Sequence, residues 1–210
     1  MLIKAIEVGY LQTNCYVVAD EATLDAAVID PGADSNLILD YIERCHFHVR
    51  AILLTHGHFD HCMGLEEVYD ATGATVYMSH ADLTTDIDNG MFGNEDFELD
   101  PPDDTVFIRE GDVIEAGSLT FDVLETPGHT PGGVSLYFPE EQVVFTGDAL
   151  FYRSIGRTDF PGGDHDTLLR SVRDVLFKLP AETVAYPGHG PATKIGDEAA
   201  NNPFCGEFRP

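Results

Sequence analysis

The chain has 210 residues, 43% of them hydrophobic, with 37 Asp+Glu against 11 Lys+Arg and a formal net charge of -26. That length and apolar content suit one compact domain over residues 1–210 with a substantial core. So acidic a surface repels phosphate backbones and disfavours nucleic acid as a partner, and no apolar run approaches the ~20 residues that cross a bilayer.

No basic stretch leads into a long apolar one, so no export signal is expected. Cys15, Cys45, Cys62 and Cys205 are scattered and form no Cys-x-x-Cys pair. Free thiols in a cytoplasmic protein follow from both observations.

Strand-like runs come first, at Leu2 to Val8, Cys15 to Ala19 and Ala26 to Asp30. Ser35 to Cys45 places Leu37, Ile38, Tyr41 and Ile42 on one helical face, with Asp34 or Ser35 as the cap. Val49 to Leu54 is an apolar run that reads as a buried strand. It leads into Thr55-His56-Gly57-His58-Phe59-Asp60-His61-Cys62-Met63-Gly64. Met63 to Thr72 is predicted as a helix ending at Gly73, and Thr75 to Met78 as a strand. Asp82 to Asp104 is acidic, lacks Lys and Arg, and is broken by Asn89-Gly90, Gly93 and Pro101-Pro102. It reads as a flexible acidic loop; the functional alternative is a lid that brings Met91 and Phe92 to a substrate. Further strands are expected at Leu119 to Leu124, Val143 to Phe145 and Thr183 to Tyr186. A helix from about Asp166 to Lys178 is capped by Asp164. Periodicity alone says α/β or α+β.

Three histidines and an aspartate within six residues make a metal-ligand cluster, because imidazole and carboxylate together suit zinc, iron or manganese. Three further candidates each follow a strand-like run and a glycine. They are His129 in Pro127-Gly128-His129, Asp148 in Thr146-Gly147-Asp148, and His189 in Pro187-Gly188-His189-Gly190. Strand ends deliver side chains from distant sequence to one edge of a fold, and glycine lets the backbone approach a ligand.

The order His-x-His-x-Asp-His, then His, then Asp, then His resembles the metallo-β-lactamase superfamily. Within it, Ser154-Ile155-Gly156-Arg157-Thr158-Asp159-Phe160-Pro161-Gly162-Gly163 and Asn202-Pro203-Phe204 are most similar to glyoxalase II-like hydrolases. The resemblance implies a four-layer αββα sandwich. It also implies two divalent metal ions, zinc first, with iron or manganese as alternatives. His56, His58 and His129 would hold one ion, Asp60, His61 and His189 the other, and Asp148 would bridge them. Two such ions ~3.5–4 Å apart can share a hydroxide and bring its pKa towards ~7, while polarising a substrate carbonyl. Asp60 is the candidate to orient that hydroxide and handle its proton.

The implied function is hydrolysis of a small-molecule acyl thioester such as S-lactoylglutathione. The alternatives are a mononuclear iron persulfide dioxygenase, which shares the Gly-Arg-Thr-Asp-Phe segment and would use His56, His129 and Asp148, or a hydrolase of another ester or lactone. A β-lactamase is disfavoured because Asp148 stands where a cysteine is often found, and a nuclease because the stretch from Asp148 to His189 has no room for a nucleic-acid-binding insertion. In glyoxalase II a basic residue at the Arg157 position engages the glycine carboxylate of glutathione, a task suited to the planar guanidinium fork; a salt bridge to Asp159 is the competing role. The family's separate C-terminal helical domain with basic glutathione contacts is not expected here, since after His189 the only bases are Lys194 and Arg209. His46, His48, His80 and His165 lie outside glycine-flanked loops and are assigned to surface or core, and Cys62 to packing.

Overall fold

The structure is a computed structural model that describes residues 1–85, 87 and 97–207. The first sheet runs β1 (Leu2–Val8), β2 (Thr13–Ala19), β3 (Asp25–Ile29), β4 (His48–Leu53), β5 (Thr75–Met78) and β6 (Val106–Phe107), in that spatial order. β1 to β3 pair antiparallel, and β3 to β6 pair parallel. Parallel neighbours require crossovers. Helix α1 (Ser35–Cys45) makes the first, and α2 (Phe59–Cys62) with α3 (Leu65–Thr72) makes the second.

The second sheet contains β7 (Val113–Ala116), β8 (Leu119–Glu125), β9 (Val134–Phe138) and β10 (Val143–Gly147). A small hairpin of β11 (Leu150–Phe151) and β12 (Ser154–Ile155) follows, then α4 (His165–Arg170), β13 (Val184–Pro187), β14 (Thr193–Lys194) and α5 (Ile195–Asn201). The sheet order is β14-β13-β10-β9-β8-β7, with β10 parallel to β13.

Side chains that alternate along each strand feed different layers. Tyr16, Val18, Ala27, Ile29, Ala51 and Leu53 face Phe121, Val123, Leu136 and Phe145 between the sheets. Their neighbours Cys15, Val17, Val28, Ile52 and Val76 face outward onto Ile38 and Ile42 of α1 and Leu65 and Val68 of α3. Val144 and Ala185 of the second sheet pack on Leu168, Val172 and Leu176, and on Ile195 of α5. Burial on both faces explains why these strands read as continuous apolar runs. The result is the αββα sandwich.

Local details differ from the sequence reading. α1 has the expected bounds, but neither Asp34 nor Ser35 caps it: Asp34 is left-handed (φ 47), and its carboxylate accepts from the Gly9 amide at 2.8 Å. Leu37 is 47% exposed, so the apolar face of α1 is narrower than its periodicity implied. The helix expected from Met63 is α3 and begins at Leu65, because Phe59–Cys62 already form the short helix α2. The Asp164 carboxylate does cap α4, accepting from the Thr167 amide at 2.7 Å. That helix passes into a π turn at Ser171–Val175 and a 3-10 turn at Leu176–Lys178. The Ser171 hydroxyl donates to the Pro127 carbonyl at 2.7 Å and ties this turn to the His129 loop. Met91 and Phe92, proposed for a lid, lie outside the described residues.

Among the described residues no helix is long and apolar enough to cross a membrane. Several surface cations sit against acids: Arg50 with Asp25 at 2.6 Å, Arg157 with Asp159 at 2.8 Å, and Lys194 with Glu182 at 2.8 Å. With 37 acidic against 11 basic side chains, most of the negative charge has no such partner. Self-repulsion of this kind destabilises the compact state and weakens as the Debye length falls from about 10 Å at 0.1 M salt to about 3 Å at 1 M. Tm is therefore expected to rise by several degrees between 0.1 and 1 M KCl. A Tm that falls over that range would mean that the surface ion pairs outweigh the net repulsion.

Candidate metal centre

The three glycine-marked loops and the histidine-rich loop converge at one end of the sandwich. His56 and His58 lie between β4 and α2, Asp60 and His61 lie in α2, and His129 lies between β8 and β9. Asp148 directly follows β10, and His189 follows β13 after Gly188, the two strands being parallel neighbours in the second sheet. Three groups of possible ligand atoms, each within 4.8 Å of one another, unite all seven residues. They are His56, His58 and His129; His56, His61 and Asp148; and Asp60, His61 and His189.

Asp148 lies between the histidines. Its Oδ1 is 3.5 Å from His61 Nε2, and its Oδ2 is 3.5 Å from His129 Nε2 and 3.6 Å from His189 Nε2. Asp60 Oδ2 lies 3.3 Å from His189 Nε2 and 3.6 Å from His61 Nε2. Gly188 is required beside them, because a Cβ there would collide with Asp148 Oδ1 and approach His61 Cε1 to 2.6 Å.

The outer partners fix the imidazole tautomers. The Arg157 carbonyl can only accept, so His129 Nδ1 carries the proton at 2.7 Å. His61 Nδ1 donates to Asp30 Oδ2 at 2.9 Å. The Thr55 hydroxyl donates to Asp30 Oδ2 at 2.7 Å and so accepts from His56 Nδ1 at 3.1 Å. With Nδ1 so engaged, His56 and His129 present an Nε2 lone pair inward, and His61 would do so once a cation displaces the proton that its carboxylate neighbours favour, the arrangement that outer hydrogen bonds enforce at metal sites.

Nε2 of His56, His58, His61 and His129 and Oδ1 of Asp148 are buried without a hydrogen-bond partner. Leaving five such atoms orphaned is expensive unless something satisfies them jointly, and a divalent cation does so. The electrostatics agree. Burial and the neighbouring imidazoles push His56 and His58 well below the usual histidine range, so both are neutral donors. Burial opposes charge on His61 too, but Asp60, Asp148 and Asp30 together drive it up to about 10. Burial would raise Asp60, yet His61 and hydrogen bonds from His189 and Thr13 hold it well below the carboxylate range. The cluster calls for positive charge, and its nitrogen and oxygen donors suit divalent metals.

Three supporting residues escaped the sequence reading. Asp30 accepts from the Thr55 amide and hydroxyl, both at 2.7 Å, and from His61. It directly follows β3 and precedes Pro31-Gly32, so it lacks the preceding glycine that marked Asp148. The Thr13 hydroxyl donates to Asp60 Oδ2 at 2.7 Å, with no local signal. Asp82 corrects the reading of the acidic segment, whose first residue is buried and ordered, not part of a flexible loop. Its Oδ1 accepts from the Gly132 amide at 2.6 Å, and its Oδ2 from the Gly57 amide and the Thr130 hydroxyl, each at 2.9 Å. Asp82 thus joins the His56/His58 loop to the His129 loop.

The remaining expectations sort cleanly. His46, His48, His80 and His165 are exposed and outside the cluster. Cys62 is buried and its thiol donates to the His58 carbonyl at 3.0 Å. The Arg157 guanidinium makes two 2.8 Å bonds to Asp159 and lies 3.6 Å over the Phe160 ring, while Phe160 is 6.1 Å from the His58 ring.

A model of the metallo-beta-lactamase superfamily matches residues 8–189. The hydroxyacylglutathione hydrolase GloC of Haemophilus influenzae is 35% identical over 97% of this chain and 98% of its own. Among solved structures, the B3 metallo-beta-lactamase BLEG-1 superposes with a TM-score of 0.88 at 38% identity, over 97% of this chain and 99% of that one. ETHE1 from Myxococcus xanthus gives 0.82 at 34% identity, over 98% and 84%. The di-iron-bound form of TTHA1623 gives 0.82 at 36% identity, over 96% and 99%. On the family model and these near-full-length likenesses, the chain belongs to the metallo-beta-lactamase superfamily.

Proposed function

We propose that the protein is a dinuclear metallo-hydrolase of acyl thioesters of the S-lactoylglutathione type. The observation that carries this reading is the position of Asp148, with one carboxylate oxygen towards His61 and the other towards His129 and His189. His56, His58 and His129 would hold one ion, Asp60, His61 and His189 the second, and Asp148 both. Zinc is the first choice; the likeness to a di-iron form makes iron a strong second. When bound, such ions supply a hydroxide nucleophile at neutral pH and polarise the scissile carbonyl.

The chain's own groups do the rest. Asp60, ionised and oriented by the Thr13 hydroxyl, would hold the nucleophile by a hydrogen bond and relay its proton to the thiolate that departs as the C–S bond breaks, leaving a carboxylic acid and a thiol. Asp30 and the Arg157 carbonyl keep the His61 and His129 rings aligned. Phe160 beside His58 and Phe151, 6.1 Å from His189, provide apolar walls for the thioester arms. Arg157 is placed to receive a substrate carboxylate in exchange for Asp159. The near-full-length likeness to GloC supports this substrate class. A site that handles small thioesters fits a cytoplasmic enzyme.

A second reading has its own support. The likeness to ETHE1 and the Gly156-Arg157-Thr158-Asp159-Phe160 segment suit the iron persulfide dioxygenase alternative, and the likeness to BLEG-1 reopens β-lactam hydrolysis. Purified protein reconstituted separately with zinc and iron distinguishes the three. Rapid S-lactoylglutathione cleavage that chelation abolishes, without oxygen uptake on glutathione persulfide or nitrocefin turnover, is expected. Oxygen consumption by the iron form without thioester cleavage, or nitrocefin as the better substrate, would overturn the proposal.

A further inference from the structure

Helix α5 carries a carboxylate outside the metal cluster that is nevertheless fully buried. Glu198 has 0% exposure, and both oxygens are engaged. Oε1 accepts from the Thr193 hydroxyl at 2.7 Å. Oε2 accepts from the Arg153 amide at 3.0 Å and from Asn202 Nδ2 at 2.9 Å. Asn202, also 0% exposed, donates in addition to the Ser154 carbonyl at 3.0 Å, and its Oδ1 accepts from the Phe204 amide at 3.0 Å. The Arg153 guanidinium lies 3.8 Å from Glu198 and donates to the Asp197 carbonyl at 2.7 Å.

These bonds fall on one small element. Arg153 is the left-handed corner (φ 55) of the β11–β12 hairpin, and Ser154 begins its return strand. The hairpin leaves the second sheet just after Asp148. It comes back at Gly156, where a Cβ would collide with the Asp148 carbonyl and lie 3.2 Å from His129 Nδ1. The next residue, Arg157, supplies the carbonyl that orients His129. The hairpin therefore begins at one expected ligand and ends on the acceptor for another.

We infer that Glu198 and Asn202 are positioning residues for the metal centre: they clamp the hairpin that sets both the Asp148 backbone and the Arg157 carbonyl behind His129. The inference rests on the reading that the seven-residue cluster holds divalent ions. A buried carboxylate suits the task because it can satisfy several converging donors at fixed angles, and removing it orphans them all. A two-stranded hairpin has little rigidity of its own; beside the packing of Leu150 and Ile155 and the Thr146 hydroxyl on the Leu150 carbonyl, α5 fixes its corner.

The test compares two losses from the same network. Asn202→Ala removes the bond to the Ser154 carbonyl of the hairpin and the support of Glu198 Oε2, leaving the Arg153 amide bond, and Thr193→Ala removes the bond on the opposite side of Glu198. Zinc affinity is measured by competition with a chromogenic chelator, alongside the visible spectrum of the cobalt-substituted protein and the Tm of the metal-free chains. Outer partners of metal-bound histidines typically contribute 10–100-fold in affinity, and this brace acts one bond further out. Asn202→Ala is expected to weaken zinc about tenfold and alter the cobalt spectrum, whereas Thr193→Ala stays within about twofold despite a lowered Tm. Should Asn202→Ala not fold, Asn202→Ser is read in its place, since its short hydroxyl cannot span to the Ser154 carbonyl. Affinity that tracks Tm equally in both variants, or that changes in neither, overturns the inference. A wild-type chain that retains no ion overturns the metal reading itself.

Discussion

Asp60→Asn is expected to lower kcat about a thousandfold, within the 10²–10⁴ range for losing a general base, and to leave the fold intact. The amide has the size of the carboxylate, and its oxygen can still accept from the Thr13 hydroxyl, which now lies 2.7 Å from Asp60 Oδ2. What it cannot do is take a proton. Asp60 also belongs to the Asp60, His61 and His189 group, so metal content must be measured on the same sample. Full metal content with lost turnover assigns the proton role to Asp60. Lost metal would assign the defect to ligation, and near-wild-type turnover would remove Asp60 from the chemistry altogether.

The second large effect is on stability. Asp82→Ala is expected to destabilise the metal-free protein by about 4 kcal/mol in urea unfolding, since each buried donor left without an acceptor costs about 1–3 kcal/mol. Three donors are affected: the amides of Gly57 and Gly132 and the hydroxyl of Thr130. Burial pushes Asp82 above the usual carboxylate range while these donors oppose it, so the site has been assembled around an acceptor that water reaches poorly. Using the metal-free chain keeps ion binding out of the comparison. Asp82→Asn, which retains one acceptor oxygen but turns an amide group towards donors, should fall between the two. A loss below about 1 kcal/mol for the alanine variant would show that water readily replaces the carboxylate. Because the joined loops carry His56, His58 and His129, the same variant should also lose metal.

The contrast between these residues explains what could be seen in the sequence. His56, His58, Asp60 and His61 are close in the chain, and His129, Asp148 and His189 each follow a strand and a glycine, so local pattern brought all seven forward. Asp82 and Thr13 act on partners 25 to 50 residues away, and nothing around them records those partners. Asp30 was missed because Ile29, not a glycine, precedes it, so the rule that found Asp148 did not reach it. Apolar strands alternating with helices made only an α/β or α+β class legible; the four layers came from the resemblance that the ligand order carries. Leu37 and the π turn at Ser171 were not legible, because the first depends on how far α1 rolls on its sheet and the second on a hydrogen bond to Pro127.

If Arg157 receives a substrate carboxylate as proposed, its clasp with Asp159 would set a threshold for what enters. Asp159 is two residues away and already makes both fork bonds, so it competes as a tethered carboxylate at an effective concentration of about millimolar or more. A free carboxylic acid in solution meets that incumbent unaided. A ligand whose far end is simultaneously seated over the histidines converts its own carboxylate into an equally local competitor and can win the exchange. On that reading the exchange would depend on both ends of a molecule at once: fragments that carry either end alone would bind poorly, and selectivity would follow their separation.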